Sequence, residues 1–118
     1  MPVPYLRLSV LDQSPIPDGS SASAAFAATI ALARLADRLG YARYWLAEHH
    51  NTQGLAGSSP EVLIARVAAE TLRIRVGSGG VMLSHYSPLK VAESFRVLHA
   101  LYRVGSIWAL AAHLAPIS

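Results

Sequence analysis

Two segments of the sequence end in residues that could carry chemistry. The first, Arg-Tyr-Trp-Leu-Ala-Glu-His-His at residues 43–50, changes from mainly apolar residues to a carboxylate and two imidazoles. The second, Ile-Arg-Val-Gly-Ser-Gly-Gly-Val-Met-Leu at residues 74–83, is interrupted by bare glycine backbone. α/β enzymes build their sites where buried strands give way to polar or very small residues. Both segments are therefore predicted to be strands whose carboxyl ends form a site.

Glu48, His49 and His50 suit acid–base chemistry better than metal binding. An imidazole titrates near neutral pH, and a nearby carboxylate can fix its tautomer. Adjacent side chains on an extended backbone diverge, and no third ligand follows at a recognisable spacing, so no metal site is predicted. A purely structural pair of histidines remains open on the residues alone. His85 and Tyr86, which follow the second segment, could join the same pocket or form a surface turn.

The glycine-rich stretch of the second segment invites a nucleotide-binding interpretation, which the residues around it exclude. The dinucleotide fingerprint would need a glycine at position 82 that opens a helix, but Met82 and further strand-like residues stand there. No lysine followed by a hydroxyl residue is present for a P-loop. Two interpretations remain. The glycines permit a bulge or tight packing, or they let a flat ligand lie directly against the backbone.

The elements that must position these residues alternate between strands and helices. Periodicity predicts strands that start near residues 5, 43 and 74, and helices over 24–39, over 60–71 and from residue 88 onward. Gly40 is predicted to follow the end of the first helix, and Ser58 and Glu61 to form a capping box at the second. Repeated βα units imply parallel strands, so the chain is predicted to be α/β, either a doubly wound sheet or a (β/α)₈ barrel. The predicted apolar positions of the first helix are Ile30, Leu32, Leu35 and Leu39.

Length and composition exclude several classes of protein. At 118 residues, with 53% hydrophobic and 14% charged residues, the chain suits one small domain with a sizeable core. Its net charge of +3 is scattered, so no nucleic-acid surface is predicted. The chain has no cysteine, which excludes disulfides and thiolate metal sites. No signal pattern and no apolar stretch near the roughly 20 residues of a membrane span is visible, so a cytoplasmic protein without a membrane partner is expected.

Five stretches of the chain together resemble the bacterial-luciferase-like family of flavin-dependent monooxygenases. They are residues 11–16, 44–50, 55–60, 74–83 and 87–93. Their order and spacing carry the resemblance, which runs from about Leu6 to Tyr102. It implies a (β/α)₈ TIM barrel, of which this chain has the first three βα units. It also implies a monooxygenase that uses reduced FMN and O₂ to oxidise a small organic substrate.

The resemblance implies roles for individual residues of this chain. His49 matches the histidine near the flavin that is treated as catalytic, and Glu48 or His50 would orient it. Gly79 and Gly80 match a pair joined by a non-proline cis peptide beneath the isoalloxazine ring. The expected cofactor-binding platform is Ser78, Gly79, Gly80 and Val81.

The resemblance also implies partners, and it leaves alternatives open. A separate flavin reductase would supply reduced FMN, and the full-length parent would be a homodimer through its second and third helices. One alternative is a barrel oxidoreductase that uses a deazaflavin, coenzyme F420. The other is a non-catalytic βα interaction module that oligomerises through exposed strand edges.

The sequence after residue 102 departs from the family. The family continues Pro-Gly-Arg-Ile-Asp-Leu-Gly-Leu-Gly, whereas this chain has Arg-Val-Gly-Ser-Ile-Trp-Ala-Leu-Ala at residues 103–111. One nucleotide string can encode both texts in frames offset by one base. We interpret residues 1–102 as the N-terminal part of a luciferase-like barrel domain, and 103–118 as a non-family tail produced by a frameshift. A barrel truncated in this way is expected to be inactive, to aggregate, swap or remain partly molten, and to bind FMN weakly.

Overall fold

The structure, a computed structural model, describes residues 5–81, 87–102 and 107–111. Within these residues a parallel sheet has the strand order β1-β2-β3-β4, and the helices α1, α2 and α3 follow β1, β2 and β3 along the chain. The strands are β1 (Ser9–Asp12), β2 (Arg43–Leu46), β3 (Arg75–Val81) and β4 (Ile107–Ala111). The helices are α1 (Ala22–Arg38), α2 (Pro60–Ala69) and α3 (Pro88–Leu101). This order confirms the predicted α/β repeat.

The structure contains a fourth strand, β4, whereas the sequence analysis predicts only three βα units. Its residues pair in parallel with β3 from Val76 to Val81, so the segment assigned to a non-family tail continues the sheet. The physical reason is that its sequence, Ile-Trp-Ala-Leu-Ala, is apolar, and its backbone groups find hydrogen-bond partners on the edge of β3. Pairing does not depend on how these residues were encoded, so the frameshift remains a prediction.

One face of the sheet is covered by the helices and contains the core. Alternate side chains of the two central strands, including Tyr44, Leu46 and Val76, are buried there. They pack in one cluster with Ile64 of α2 and Phe95 of α3. Because side chains alternate along a strand, the residues between these core positions face the opposite side of the sheet.

The helix ends follow their predicted caps in one case and differ in another. Gly40 has φ +84°, which confirms its place just beyond α1. At α2 the N-cap is Ser59, whose side chain makes no capping hydrogen bond. Because Pro60 takes the first helical position, Ser58 lies one residue too early for a capping box with Glu61, and that prediction is wrong.

α1 packs on the sheet with small residues, not with the leucines that its periodicity indicates. Its buried residues are Ala25, Thr29, Ala33 and Ala36. Three leucines, here called the leucine stripe (Leu32, Leu35 and Leu39), are 41%, 43% and 65% exposed. The predicted apolar face therefore exists, but it is not the face that this sheet covers.

Asp37 ties the end of α1 to the segment that enters β3. Its carboxylate accepts backbone N–H hydrogen bonds from Leu72 at 2.7 Å, Arg73 at 2.9 Å and Ile74 at 2.8 Å. Burial raises the pKa of Asp37, but the three hydrogen bonds and the charge of Arg73 lower it by more. The net result is a pKa below the ordinary value for aspartate.

Replacing Asp37 with alanine is expected to lower the free energy of unfolding at neutral pH by about 2 kcal/mol, because three donors lose a charged acceptor. Since the pKa is lower in the folded state, this contribution is complete above the unfolded pKa of about 3.9 and is lost as pH falls through the folded value. Urea unfolding of both proteins at neutral and strongly acidic pH measures the effect. Asp18→Ala, at an exposed turn, is the matched control. An Asp37→Ala deficit that persists unchanged in acid would contradict the account.

Candidate active site

The carboxyl ends of β1, β2 and β3 lie side by side at one edge of the sheet. The register places Asp12 beside Leu46, and Leu46 beside Ser78, at the last paired positions of these strands. The Glu-His-His segment therefore leaves β2 at the edge where β3 reaches Gly79. The predicted neighbourhood of the two segments is confirmed.

The sheet face opposite the helices carries an apolar floor near this edge. Leu11 pairs with Trp45, and Trp45 pairs with Gly77, across three adjacent strands. Leu11 is 60% exposed and Trp45 is half-buried. A Cβ added at Gly79 would lie 3.1 Å from the Trp45 Cβ and 3.4 Å from its ring. The indole thus rests directly on glycine backbone.

The glycines of β3 have clear packing roles. Gly79 admits the Trp45 side chain, and the pairing with β4 shifts register between Gly79 and Val81, as at a bulge. Ser78 is wholly buried and shares a register row with Leu46, on the helix-covered face. The backbone of Gly80 and Val81 continues β3. The bulge and packing interpretation is confirmed here, while the flavin platform remains a prediction.

Glu48 lies against His50. The Glu48 Oε2 is 3.0 Å from the His50 Nε2, with the carboxylate side chain 1% exposed and the imidazole 35% exposed. A buried carboxylate at this distance fixes the orientation of the ring. His49 is held by its backbone, since its N–H donates to the carbonyl of Gly57 at 2.8 Å. Orientation of the His49 imidazole by either neighbour remains a prediction.

The loops that follow β1 and β2 are joined to each other at this edge. The N–H of Ile16 donates to the carbonyl of Gly54 at 2.8 Å, and the N–H of Ala56 donates to the carbonyl of Ser14 at 2.9 Å. An isolated antiparallel bridge lies between these two bonds. The loop that carries the histidines is therefore fastened to the loop after β1.

A buried hydrogen-bond network, which the sequence analysis missed, holds the end of β1. The Tyr44 hydroxyl donates to Asp12 Oδ2 and lies 3.3 Å from the carbonyl oxygen of Thr29. Asp12 Oδ1 accepts from the N–H of Ser14 at 2.7 Å, and the hydroxyls of Ser14 and Thr29 are 2.8 Å apart. The available signal was a tyrosine within a predicted buried strand, because a buried phenol needs a polar partner.

The described ranges contain neither a candidate metal centre nor a candidate membrane span. No group of three or more His, Cys, Asp or Glu side chains able to hold a metal ion occurs there. No helix among those residues is long and apolar enough to cross a membrane. His85 and Tyr86 lie outside the described residues, so their predicted place near the pocket stays a prediction.

Gly79→Ala is expected to lower the free energy of unfolding by about 1–3 kcal/mol, because the new methyl group must displace the Trp45 side chain. The same displacement should shift the tryptophan emission spectrum. Gly54→Ala is the control, since its nearest contact would be the Thr52 hydroxyl at 4.0 Å. Urea unfolding followed by intrinsic fluorescence measures both quantities. A Gly79→Ala protein indistinguishable from wild type would show that the indole does not rest on this glycine.

A parallel βα repeat with the strand order β1-β2-β3-β4 and with polar residues at the carboxyl ends of its strands is the arrangement found in α/β barrels. The sequence profile of the luciferase-like monooxygenase family matches residues 6–104. The chain belongs to this family of monooxygenases.

Three similar proteins support this assignment. The chain is 64% identical over 96 residues to the uncharacterized protein YwcH of Bacillus subtilis (strain 168), covering 81% of this chain and 29% of that protein. The crystal structure of apo-MsnO8 superimposes with a TM-score of 0.86 at 57% identity, covering 89% of this chain and 32% of that one. The oxygenating constituent of 3,6-diketocamphane monooxygenase from the CAM plasmid of Pseudomonas putida, in complex with FMN, gives a TM-score of 0.85 at 24% identity and covers 94% of this chain and 30% of that one.

These comparisons identify the fold and show how much of a related protein this chain spans. They confirm that the α/β sheet is part of a (β/α)₈ TIM barrel of the luciferase-like type. At 24% identity the diketocamphane enzyme speaks for the fold alone. The chain spans about 29% of the length of the curated relatives it matches.

Proposed function

We propose that the barrel to which this chain contributes is an FMN-dependent monooxygenase that oxidises a small organic substrate with O₂. The observation that carries the proposal is the meeting of the Glu-His-His segment and the glycine backbone of β3 at one edge of the sheet. Membership of the luciferase-like monooxygenase family supports it, as does the FMN in the diketocamphane enzyme of the same fold.

The described residues fit a flat ring system at this edge. Leu11 and Trp45 offer apolar surface on this face of the sheet, where the Trp45 ring itself packs on Gly79. The segment proposed to hold the ring is Ser78, Gly79, Gly80 and Val81. Bound FMN in its reduced form would supply the activation of O₂, which no side chain of this chain can provide.

Each polar group at the edge has a proposed task. His49 is proposed to hold or move a proton at its imidazole, as a general acid or base. Glu48 and His50, whose side chains lie 3.0 Å apart, hold the loop in place. Glu48 also places a carboxylate next to His49 in the sequence. Trp45 excludes water from one side of the floor, which strengthens electrostatic interactions there.

The partners follow from the same proposal. A flavin reductase in the cytoplasm supplies reduced FMN, and the full-length parent forms a homodimer through α2 and α3. Apolar side chains exposed on those helices support such a contact, among them Val62, Leu89 and Val97. Alone, the 118-residue chain is proposed to be inactive and to bind FMN weakly, because much of the barrel around the ring is not supplied by it.

The test compares this chain with a completed barrel. A chimera joins residues 1–102 to the remaining part of the Bacillus subtilis relative, and both proteins are titrated with FMN while flavin fluorescence is followed. The chimera is expected to bind at least about 100-fold more tightly, or about 2.7 kcal/mol, and to consume O₂ with photoreduced FMN. A folded chimera that binds no FMN would contradict the proposal. One that binds only coenzyme F420 would favour the deazaflavin alternative.

The interaction module is the second candidate, and the open edge of β1 together with the exposed leucine stripe favours it. Size-exclusion chromatography of the completed chimera, with flavin absorbance recorded, separates the two. A discrete oligomer that carries no flavin after incubation with FMN supports the module. A discrete oligomer that carries flavin supports the enzyme.

A further inference from the structure

Gln13 is an exposed residue between two buried ones at the carboxyl end of β1. Asp12 and Ser14 are buried, whereas Leu11 and Gln13 are exposed. Because side chains alternate between the two faces of extended backbone, Gln13 continues the row of Leu11 on the sheet face opposite the helices. The same face carries the apolar floor formed with Trp45.

Both neighbours of Gln13 are held by the buried hydrogen-bond network. The Asp12 carboxylate accepts from the Tyr44 hydroxyl and from the N–H of Ser14, and the hydroxyl of Ser14 lies 2.8 Å from that of Thr29. Ser14 also has φ +49°, a region that residues with a Cβ rarely adopt. Such conformations persist only where the surroundings over-determine them, and they cluster at sites that bind ligands. The network therefore fixes the backbone on both sides of one exposed glutamine.

The backbone of Gln13 lies beside the segment that carries His49. A Cβ added at Gly57 would lie 3.0 Å from the carbonyl oxygen of Ala47 and 3.5 Å from that of Gln13. The carbonyl of Gly57 in turn accepts the N–H of His49 at 2.8 Å. Gln13 and His49 therefore flank one glycine at the edge where β1 and β2 end. A group bound by Gln13 would lie close to the candidate acid–base residue.

We propose that the side-chain amide of Gln13 binds the imide edge of the flavin ring, where an N–H stands between two carbonyls. A primary amide offers an acceptor and two donors side by side. It can accept from the imide N–H and donate to an adjacent carbonyl, and neither group needs a charge. The apolar floor of Leu11 and Trp45 lies beside it for a face of the ring. The inference rests on the proposed function, and it adds a cofactor-binding residue on β1 to the segment proposed on β3.

The test titrates the completed chimera with FMN and with 3-methyl-FMN, in which a methyl group replaces the imide hydrogen. Flavin fluorescence reports binding, so no turnover is needed. Gln13→Leu is expected to weaken FMN binding at least about 5-fold, because the imide loses its partner. Binding of 3-methyl-FMN should change by less than about two-fold, because methylation has already removed the donor. The wild-type chimera should accordingly prefer FMN over 3-methyl-FMN.

Gln53→Leu is the matched control. Gln53 is exposed in the loop after β2, and Thr52 and Gly54 on either side of it are exposed as well, so no buried pair of neighbours directs it. It should bind both flavins within about two-fold of wild type. Because Gln13 is exposed, its replacement should leave the fold intact, and circular dichroism with urea unfolding checks this.

Each other outcome overturns the inference. Equal weakening of FMN and 3-methyl-FMN by Gln13→Leu would show a disturbed site without a bond to the imide. FMN binding unchanged by Gln13→Leu would exclude the contact, while the proposed function would stand. A folded wild-type chimera that binds neither flavin would contradict the proposed function, and this inference with it.

Discussion

Replacing Tyr44 with phenylalanine is expected to lower the free energy of unfolding by about 2–3 kcal/mol, because the buried Asp12 carboxylate loses a donor. Tyr44 is wholly buried, so water has little access to replace the hydroxyl. Tyr44→Ala should cost about 4–5 kcal/mol in total, since it also leaves a cavity in the core. Urea unfolding followed by circular dichroism measures both. Tyr5→Phe, at a side chain that is 84% exposed, should match wild type.

Alkaline pH should act on the same network. Burial, then the hydrogen bond and charge of Asp12, raise the pKa of Tyr44 above its ordinary value. A raised folded pKa means that the contribution of Tyr44 is complete below the unfolded pKa of about 10 and is lost as pH rises above it. The stability gap between wild type and Tyr44→Phe should therefore shrink between about pH 9 and pH 11. A gap of constant size over that range would argue against a neutral phenol bonded to Asp12.

His49→Gln in the completed chimeric barrel is expected to lower kcat by about 100- to 1,000-fold, the usual contribution of a general acid or base. Glutamine keeps hydrogen-bonding capacity but cannot titrate, so FMN affinity and KM should change little. Stopped-flow kinetics with photoreduced FMN and O₂ measures the effect, which rests on the proposed function.

The control for this substitution is His99→Gln on α3, an exposed histidine outside the candidate site. It should keep full activity. A His49→Gln barrel that binds FMN and turns over as fast as wild type would remove His49 from the proposed chemistry, while the flavin assignment would stand.

The order of the elements could be predicted from the sequence because each depends on local patterns. Periodicity located the strands and helices, and Gly40 marked a helix end through its backbone freedom. The element that packs on an apolar helix face is not determined by the local sequence of that helix. The leucine stripe of α1 was visible as a pattern, yet alanines pack on the sheet and the leucines face outward.

The position of the site in the fold could be predicted from the sequence, but the contacts between its side chains could not. Parallel topology is enough to bring the ends of β2 and β3 together. The pairing of Glu48 with His50, and the packing of Trp45 on Gly79, depend on register and on the course of the loop. Those follow from contacts between residues distant in sequence, such as the bonds that join the two loops.

The fastening between those two loops has a consequence for biosynthesis. Its bonds, between Ser14 and Ala56 and between Ile16 and Gly54, use only residues that precede α2 in the chain. Synthesis on the ribosome proceeds from the N-terminus, so these residues emerge before those that follow them in the chain. The loops after β1 and β2 can therefore be fastened to each other before later parts of a full-length chain have emerged.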